Sequence, residues 1–404
     1  MLKLDEVQRI LSSVPPAELA IEDIVLAGAL GRIAAEDVFS SIDIPPSDNS
    51  AMDGFAIRYE DIAEQEMVTL EVSQRVPAGS IPAPLASGTA ARIFTGANLP
   101  EGADTVVIQE NCDHLHDISG ATVEVLKIPE KGANIRPKGQ DITVGAKVIK
   151  KGQRLNAIDL SLLASIGKAS VKVFERLKVA IFSTGDELAE PGHELKAGQI
   201  YNSNRPLLWA LCQKLGFVPV DCGIVEDTLP ATKDALRGAA SKAHLVLSSG
   251  GVSVGEEDHI KPAIESIGKL EMWKVQIKPG KPVAYGSVDK AAFLGLPGNP
   301  VSSFVVFQLL AVPLMRALQG EERCHSQTFQ VLAGFDKKIT TREEFIRVKL
   351  RQEEGRLVAD RFPNLSSGVL SSLSWADGLV RQNIDCSITS GDSVDFYPLR
   401  EAML

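Results

Sequence analysis

The sequence predicts an α/β multidomain protein whose central domain is doubly wound, with β-rich regions on both sides of it. The chain has 404 residues, which is too many for one ordinary hydrophobic core. Strand-like and helix-like segments alternate through residues 178–318, as in parallel sheets with helices on both faces. Short β-rich segments separated by Pro and Gly turns occupy residues 67–128 and the region beyond residue 322.

The first 40 residues are predicted to be helical. Their apolar residues recur at helical spacing in two groups, which are Leu4, Val7, Ile10 and Leu11, and Ile24, Leu26, Ala27 and Leu30. Gly31 is typical of the residue that ends a helix. Residues 41–53 have a loop composition, and the β-rich runs 68–72, 91–94, 105–109 and 122–126 then suggest a small β domain.

The alternating region begins after a helix predicted at 157–166, which Asn156 caps and Gly167 ends. The predicted strands are 178–182, 218–221, 245–247 and 292–296. The predicted helices are 206–215, 230–240 and 301–318. Beyond residue 322 no helix is predicted, and the runs 329–332, 345–350 and 393–397 suggest a compact β domain.

Composition excludes several classes of protein. A net charge of −10 and a pI near 5.3 argue against nucleic-acid binding and against binding to anionic membranes. Five scattered cysteines are typical of a reducing compartment, and neither Cys324–His325 nor the pair His114 and His116 has a second pair at zinc-site spacing. We find no apolar signal core and expect no stretch that approaches a membrane span, so a cytoplasmic location is expected.

The most specific chemical feature is the segment 249–258, which we call the glycine loop. Three glycines and two serines after a strand allow the backbone to approach an anion closely. A purely structural turn would need one glycine, so a phosphate-bearing ligand is favoured. The loop matches neither a Walker motif nor the dinucleotide fingerprint.

Carboxylates follow three of the predicted strands, at Glu187, Asp227 and Asp258. The carboxyl ends of parallel strands share one edge of a sheet, so these side chains are predicted to converge there. Together with a phosphate they would suit Mg²⁺, which prefers oxygen ligands. The alternative is that each acid is solvated or caps a helix.

Two turns in the same region carry further candidates. The lysine turn, residues 278–282, places Lys278 and Lys281 close together and is a plausible anion clamp or a solvated turn. The PGNP turn, residues 297–300, precedes an apolar helix and either contacts ligand or is purely structural. Asp53, Thr95 and Asp141 lie in other turns, where composition alone favours a structural role.

As an ordered set, these motifs resemble the molybdopterin molybdenumtransferases, the MoeA family, which includes the C-terminal domain of gephyrin. The matching segments span nearly the whole chain: NSAMDGFA at 49–56, FTGA at 94–97, VVIQE at 106–110, GQDI at 139–142, STGDEL at 183–188, SNRP at 203–206, SSGGVSVGEED at 248–258, KPGKP at 278–282 and LPGNP at 296–300. The C-terminal part matches more loosely, because Leu365-Ser366-Ser367 stands where the family tends to have Gln-Gly-Ser.

The resemblance implies an enzyme that inserts molybdate into adenylylated molybdopterin, releases AMP and requires Mg²⁺. It implies four domains: an elongated helical/β domain (1–45 and 130–172), an inserted β domain (46–129), the doubly wound domain (173–321) and a C-terminal β-barrel-like domain (322–404). It also implies a homodimer with a shared site, and contacts with the adenylyltransferase and with apo-molybdoenzymes.

The resemblance also assigns roles to residues. Glu187 and Asp258 are implied Mg²⁺ ligands or catalytic carboxylates, supported by Asp227 and Asp141, while Asp53 and Thr95 would reach into the partner's site. The implied substrate-binding residues, around the phosphates or the molybdate, are Ser183, Thr184, Gly185, Gly250, Gly251, Ser253, Lys278, Lys281, Pro297, Gly298, Asn299, Arg347 and Ser367.

Two other functions are alternatives to molybdenum insertion. Molybdopterin adenylyltransferases share the glycine-loop domain but consist essentially of that domain, so segment 49–56 and the flanking β domains favour insertion. A scaffold role, as gephyrin has at membranes, fits less well because the carboxylate and lysine set is intact. Consumption of ATP would distinguish the adenylyltransferase, and complementation by a catalytically dead variant would distinguish the scaffold.

Overall fold

A computed structural model describes residues 1–114, 121–252, 259–325 and 327–399. Its centre is a six-stranded sheet, and the helices that cover the sheet come from the same part of the chain. In spatial order the strands are Val218–Val225, Lys178–Thr184, Leu245–Ser249, Ala291–Leu296, Pro282–Val288 and Gly268–Lys274. Ser253 and Asp258, both predicted to belong to the site, lie outside the described residues.

The four predicted strands are confirmed, and they are parallel to one another. The last two strands of the sheet were not predicted. Pro282–Val288 runs antiparallel to Ala291–Leu296, and Gly268–Lys274 runs antiparallel to Pro282–Val288, so the sheet is mixed rather than wholly parallel. A hairpin turn at Asp289 joins Pro282–Val288 to Ala291–Leu296. Asp289 has a positive φ of 51°, which allows a tight turn, and antiparallel strands need no crossover helix between them.

Helices cover both faces of the sheet, which makes it doubly wound. The helices are Asn204–Lys214, Leu229–Ala240, Ile260–Ile267 and the long helix Pro300–Leu318, which contains a π-helical stretch at Phe307–Ala311. Successive residues of a strand face opposite sides. Thus Val179 and Ile181 belong to the core that holds the long helix, whereas Ala180 and Phe182 belong to the other core.

The long helix Pro300–Leu318 would be long and apolar enough to cross a membrane, judged by its length and composition alone. The expectation that no stretch approaches such a length is therefore wrong. In the structure, 89% of its most apolar window is buried within the protein. An apolar surface all round is what a helix needs when a sheet lies on one side and other helices lie on the other.

The N-terminal region differs from its prediction in one element. Helix Leu4–Ser12 is confirmed, and it packs Leu4, Val7 and Leu11 into the core beside the long helix. The second predicted helix is wrong, because Ile21–Val25 is a strand that pairs antiparallel with Ser170–Phe174. Pairing with a distant strand has overridden the helical spacing of its apolar residues.

Residues 54–125 form a second six-stranded sheet, as the β-rich runs predict. In spatial order its strands are Thr105–Ile108, Gly54–Ile57, Thr89–Ile93, Val68–Val76, Thr122–Val125 and Cys112–His114. Short paired segments connect this sheet to the rest of the chain: Val38–Phe39 with Lys147–Ile149, and Asn49–Ser50 with Ile135–Arg136. Helix Ala157–Ser165 follows, and Asn156 caps it as predicted.

The C-terminal strands close into a five-stranded barrel. In chain order they are Phe329–Ala333, Glu343–Glu353, Arg356–Arg361, Gly378–Gln382 and Ser393–Pro398. The long strand Glu343–Glu353 closes the barrel because it pairs with Arg356–Arg361 at one end and Gly378–Gln382 at the other. The prediction of no helix in this region is wrong, since Ser371–Trp375 is helical.

Arg154 joins the N-terminal region to the end of the long helix. Its guanidinium donates two hydrogen bonds to the Glu321 carboxylate, at 3.1 and 2.7 Å, and one to the Gly31 carbonyl oxygen at 2.8 Å. The Glu321 side chain is only 8% exposed. A neighbouring ion pair, Lys150 with Glu322, is exposed on both sides.

We predict that Arg154→Ala lowers the free energy of unfolding by about 2 kcal/mol, because it leaves the buried Glu321 carboxylate without its bidentate partner. Chemical denaturation measures this loss. Lys150→Ala is the matched control and should cost less than about 1 kcal/mol, since exposed pairs contribute little. Equal losses in the two variants would contradict a special role for Arg154.

Candidate functional site

The tails of the central strands meet at one edge of the sheet and line a cavity of about 670 Å³. Another cavity in the described part of the chain, between the connecting region and residues 321–323, measures about 360 Å³. Ligand sites commonly lie at such an edge and have volumes of about 300–1,000 Å³. The predicted site residues that line this cavity are Thr184, Gly185, Glu187, Asp227, Gly250, Gly251, Pro297, Gly298 and Asn299.

The described part of the glycine loop packs tightly against the end of strand Lys178–Thr184. Gly250 and Gly251 have φ values of 95° and 65°, in the left-handed region. A Cβ at Gly250 would lie 2.7 Å from the Thr184 carbonyl oxygen, and one at Gly251 would lie 2.8 Å from the Thr184 hydroxyl. Only glycine combines this conformation with this approach, so the bare backbone faces the cavity.

Two asparagines that the sequence did not single out organise the cavity. The Asn204 side-chain amide donates to the Ser249 hydroxyl at 2.8 Å and to the Gly298 carbonyl at 2.7 Å, so it ties the glycine loop to the PGNP turn. The Asn202 amide oxygen accepts from the Arg205 backbone N–H at 3.2 Å. Asn204 lies in the segment SNRP at 203–206, which contributes to the family resemblance, but no role follows from it, since an asparagine before a helix equally suits an ordinary cap.

Several buried polar atoms around the cavity have no hydrogen-bond partner among the described residues. They are the Thr184 hydroxyl, the Asn202 amide nitrogen, the Asn204 amide oxygen and the Ser248 hydroxyl. Buried polar groups normally have partners, so such a cluster indicates that water or a ligand supplies them. Ser183, also predicted to bind substrate, is 1% exposed and its hydroxyl lies 3.4 Å from the Asn202 amide oxygen.

Two of the three predicted carboxylates reach the cavity. Glu187 is exposed and Asp227 is half-buried, and both line its wall. Within the described ranges no group of three His, Cys, Asp or Glu side chains is arranged to hold a metal ion. Glu187 and Asp227 therefore line one cavity, whereas their use as metal ligands and the convergence of Asp258 with them stay predictions.

The lysine turn lies between the central domain and the barrel. Lys278 belongs to a short strand, Ile277–Lys278, that pairs with Glu343 and Glu344 of the barrel. Its ammonium lies 3.3 Å from the Glu344 carboxylate, which is almost fully buried. Lys281 is exposed, its ammonium has no hydrogen-bond or ion-pair partner among the described residues, and the next residue, Pro282, lines the cavity.

The barrel contributes a loop to the cavity, residues 364–368, which we call the barrel loop. Arg347 is 1% exposed, and its guanidinium donates to the Asn364 and Ser366 carbonyl oxygens at 3.0 and 3.1 Å. The Ser367 carbonyl in turn accepts from the Val301 backbone N–H at 3.1 Å. Arg347 thus positions the barrel loop against the start of the long helix, and contact of Arg347 or Ser367 with an oxyanion stays a prediction.

Burial lowers the pKa of the Arg347 guanidinium, and the Glu344 carboxylate opposes that shift. The Glu344 carboxylate also forms an ion pair with the Lys337 ammonium at 3.0 Å, through the oxygen that Lys278 does not contact. The barrel wall therefore holds the buried Arg347 guanidinium beside the buried Glu344 carboxylate, while Lys281 lies at the exposed rim. An anion near Lys281 would meet a positive charge in an otherwise acidic protein.

Asp53 and Thr95, predicted from two separate turns, are brought together by the structure. The Asp53 carboxylate accepts from both the backbone N–H and the hydroxyl of Thr95, each at 2.8 Å. These bonds, the backbone one first, lower the pKa of Asp53 and keep it ionised. Neither residue lines the cavity of the same chain, and Asp141 is an exposed residue elsewhere in the connecting region.

Comparison with known proteins decides the family. Three family descriptions match consecutive parts of the chain: the MoeA N-terminal region (domains I and II) at residues 2–167, a probable molybdopterin-binding domain at 180–317, and the MoeA C-terminal region (domain IV) at 336–399. A molybdopterin molybdenumtransferase of Haemophilus influenzae is 41% identical over 350 residues, covering 86% of this chain and 85% of the relative.

The chain belongs to the MoeA family. A molybdopterin molybdenumtransferase from a Nostoc species is also 41% identical, over 78% of this chain and 73% of the relative. A crystal structure of a MoeA protein of molybdopterin biosynthesis from Pyrococcus horikoshii has a TM-score of 0.81 and 33% identity, with 99% of both chains covered. A second structure from that organism has a TM-score of 0.84 and 29% identity.

Membership of the MoeA family confirms the resemblance that the sequence motifs indicated. It also confirms the predicted multidomain α/β fold class. It also places the chain among enzymes of molybdenum cofactor biosynthesis that transfer molybdenum. In this MoeA-family member the cavity lies within residues matched by the molybdopterin-binding description, and the lysine turn and barrel loop border it.

We predict that Gly250→Ala destabilises the protein by about 1–3 kcal/mol, because alanine is strained at positive φ and its methyl group would overlap the Thr184 carbonyl. Denaturant titration gives the change. Gly238→Ala is the matched control, since nothing lies within 4 Å of its Cβ in helix Leu229–Ala240. The control should stabilise by about 0.5–1 kcal/mol. A Gly250→Ala protein of native stability would rule out the tight approach.

A second prediction concerns the depressed pKa of Asp53. Thr95→Val removes the hydroxyl donor but keeps the backbone N–H, so the pKa should rise part of the way towards its usual value. Carboxyl chemical shifts followed by NMR against pH report this value. Because the pKa of Asp53 is depressed in the folded protein, its hydrogen bonds with Thr95 contribute stability that is fully present above the usual aspartate pKa. This stability is lost as the pH falls through the depressed pKa of the folded state. An unchanged pKa in the variant would show that the hydroxyl has no part.

Proposed function

We propose that this protein inserts molybdate into adenylylated molybdopterin and releases AMP, with Mg²⁺ as its cofactor. The single observation that carries the proposal is the cavity at the edge of the central sheet, where a glycine backbone, two carboxylates and the lysine turn surround one volume. The names of the relatives support molybdenum transfer to molybdopterin, and the glycine backbone at the cavity supports a phosphate-bearing ligand.

The phosphates are proposed to lie on Gly250 and Gly251. The left-handed glycines bring backbone atoms, rather than side chains, to the cavity surface. Asn204 keeps that backbone at a set distance from Gly298 through its two hydrogen bonds. A loop held in this way before ligand arrives loses little conformational freedom on binding.

The donor set fits Mg²⁺. Glu187 and Asp227 offer carboxylate oxygens on the same wall, and Mg²⁺ is commonly held by one or two carboxylates together with substrate phosphates. Asp258, which ends the glycine loop, is proposed as a further ligand. When bound there, Mg²⁺ would supply polarisation of the pyrophosphate bridge that water cleaves.

Molybdate is proposed to lie at the lysine turn, next to the dithiolene sulfurs. Lys281 offers an ammonium that has no ion-pair partner among the described residues, and Lys278 offers one that Glu344 already orients. Arg347 supports this end of the cavity by holding the barrel loop, and Ser367 is the side chain of that loop proposed to contact the oxyanion.

Asp53 and Thr95 are proposed to complete the site of a partner copy in a homodimer. The hydrogen bonds from Thr95 give Asp53 a half-buried, ionised carboxylate that does not line the cavity of its own chain. Asp141 is proposed to act with them. Such an assembly would work in the cytoplasm, receive substrate from the adenylyltransferase and deliver cofactor to apo-molybdoenzymes.

We predict that Asp258→Ala and Glu187→Gln each lower molybdate-dependent AMP release by about 100-fold or more, since each removes charge from the metal site. Purified protein is incubated with adenylylated molybdopterin, Mg²⁺ and molybdate, and AMP release and reconstitution of an apo-molybdoenzyme are scored. Glu190→Gln is the matched control, because Glu190 lies three residues further along the chain, after the short strand Leu188–Ala189, and does not line the cavity.

Full activity of Asp258→Ala would remove that carboxylate from the mechanism. Wild-type protein that is inactive in both readouts would overturn the proposed function. If the wild type instead consumed ATP to adenylylate molybdopterin, without molybdate-dependent AMP release, the adenylyltransferase would be the correct assignment.

A further inference from the structure

Arg92 is a buried arginine of the second six-stranded sheet, and none of the proposed roles uses it. It is 4% exposed and belongs to strand Thr89–Ile93. Its guanidinium lies over the Phe55 ring, 5.2 Å from the ring centre, and over the Phe94 ring at 4.7 Å. Burying a cation costs free energy that contacts with aromatic rings offset only in part. The position of Arg92 therefore calls for a role beyond packing.

The hydrogen bonds of Arg92 reach the backbone around Asp53. The guanidinium donates to the Gly54 carbonyl oxygen at 3.1 Å and to the Gln109 side-chain amide oxygen at 2.9 Å. The Gln109 backbone N–H in turn donates to the Asp53 carbonyl oxygen at 3.0 Å. Arg92 therefore binds the residue that follows Asp53, and also a residue that is itself hydrogen-bonded to Asp53.

Arg92 also contacts the turn that carries Thr95. Phe94, over which the guanidinium lies, comes directly before Thr95, and Thr95 donates both hydrogen bonds to the Asp53 carboxylate. The two strands that carry these turns pair with each other, so the turns leave the sheet at the same point. One buried side chain thus joins the backbone at Asp53 to the residue beside its hydrogen-bond donor.

An electrostatic effect accompanies these contacts. The backbone N–H and the hydroxyl of Thr95 do most to lower the pKa of Asp53, and the positive charge of Arg92 lowers it further. Burial of Asp53 opposes these effects. The guanidinium is therefore near enough to stabilise the ionised carboxylate as well as to hold its backbone.

We propose that Arg92 is a positioning residue, which holds the Asp53–Thr95 pair in the geometry that presents the Asp53 carboxylate to the site of a partner copy. This inference rests on the proposed function, in which Asp53 completes that site. Arg92 acts through Asp53 and not on substrate, since it is buried within its own sheet. A guanidinium suits the role because its planar fork donates to two acceptors while its face lies on a ring, whereas an ammonium lacks that geometry.

The first test follows the carboxyl chemical shift of Asp53 by NMR against pH in the full-length protein. Arg92→Met should raise the pKa of Asp53 towards its usual value, because both the charge and the hold on the backbone are lost. Arg92→Lys keeps a charge but not the fork, so it should restore only part of the depression. Denaturant titration of both variants shows how much of each sample is folded.

The second test measures molybdate-dependent AMP release from adenylylated molybdopterin in the presence of Mg²⁺. In Arg92→Met, kcat should fall about tenfold while KM changes by less than about twofold, because a displaced carboxylate affects the reacting step more than binding. Arg75→Met is the matched control, since Arg75 is exposed, pairs in register with Arg92 and lies over the Phe94 ring at 4.5 Å. The control removes a cation from the same ring and should leave both readouts unchanged, which would assign the effect to the hydrogen bonds of Arg92.

Unchanged pKa and kcat values in folded Arg92→Met, or wild-type values in Arg92→Lys, would overturn the positioning role. Equal losses in Arg75→Met, or a fall in kcat that only follows the unfolded fraction, would overturn it as well. If Arg92→Met does not fold, Gln109→Met removes one of the two acceptors and should change both readouts in the same direction by a smaller factor, and wild-type values there would contradict the role.

The proposed function is tested separately by the wild type. Wild-type protein that releases no AMP would sink the proposed function. An active wild type with an unaffected Arg92→Met variant would sink the positioning role alone.

Discussion

The contact between the glycine loop and the end of strand Lys178–Thr184 is the constraint on which the rest of the site depends. Leu245–Ser249 runs parallel to strands on both sides, so its tail must emerge between theirs. Gly250 and Gly251 then turn directly against Thr184, where a side chain would collide with the strand end. The cavity lies beside this contact, and Asp227 and the PGNP turn reach it from the ends of neighbouring strands, while Asn204 reaches it from a helix and Gly368 from the barrel loop.

The central domain was predictable because its signals are local. The alternation of apolar runs with capped helices predicted the four parallel strands. The residues that follow those strands, which could be read directly from the sequence, form most of the cavity wall. Prediction failed where a distant partner decides the conformation. Ile21–Val25 has helical spacing but pairs with Ser170–Phe174, and Pro282–Val288 became a strand through a hairpin with its neighbour.

The same distinction applies to the site. Glu187, Asp227 and the glycines could be named from the sequence because they follow strands. The bridge made by Asn204 could not, because it joins residues 45 and 94 positions away along the chain. The position of Arg347 was named through resemblance, but its burial and its hold on the barrel loop depend on barrel closure, which no local pattern shows. Asp53 and Thr95 were named separately and are joined only by the fold.

The short strand Ile277–Lys278 has a consequence for the architecture of the chain. It comes from the central domain but is hydrogen-bonded into the barrel beside Glu343 and Glu344. A central domain without its barrel would expose that strand as a free edge. Ile277, one of its two residues, is apolar and fully buried in the intact chain. Free edges of this kind recruit other chains into intermolecular sheets. The barrel therefore covers this edge, so the closed surface of the central domain depends on the barrel being present.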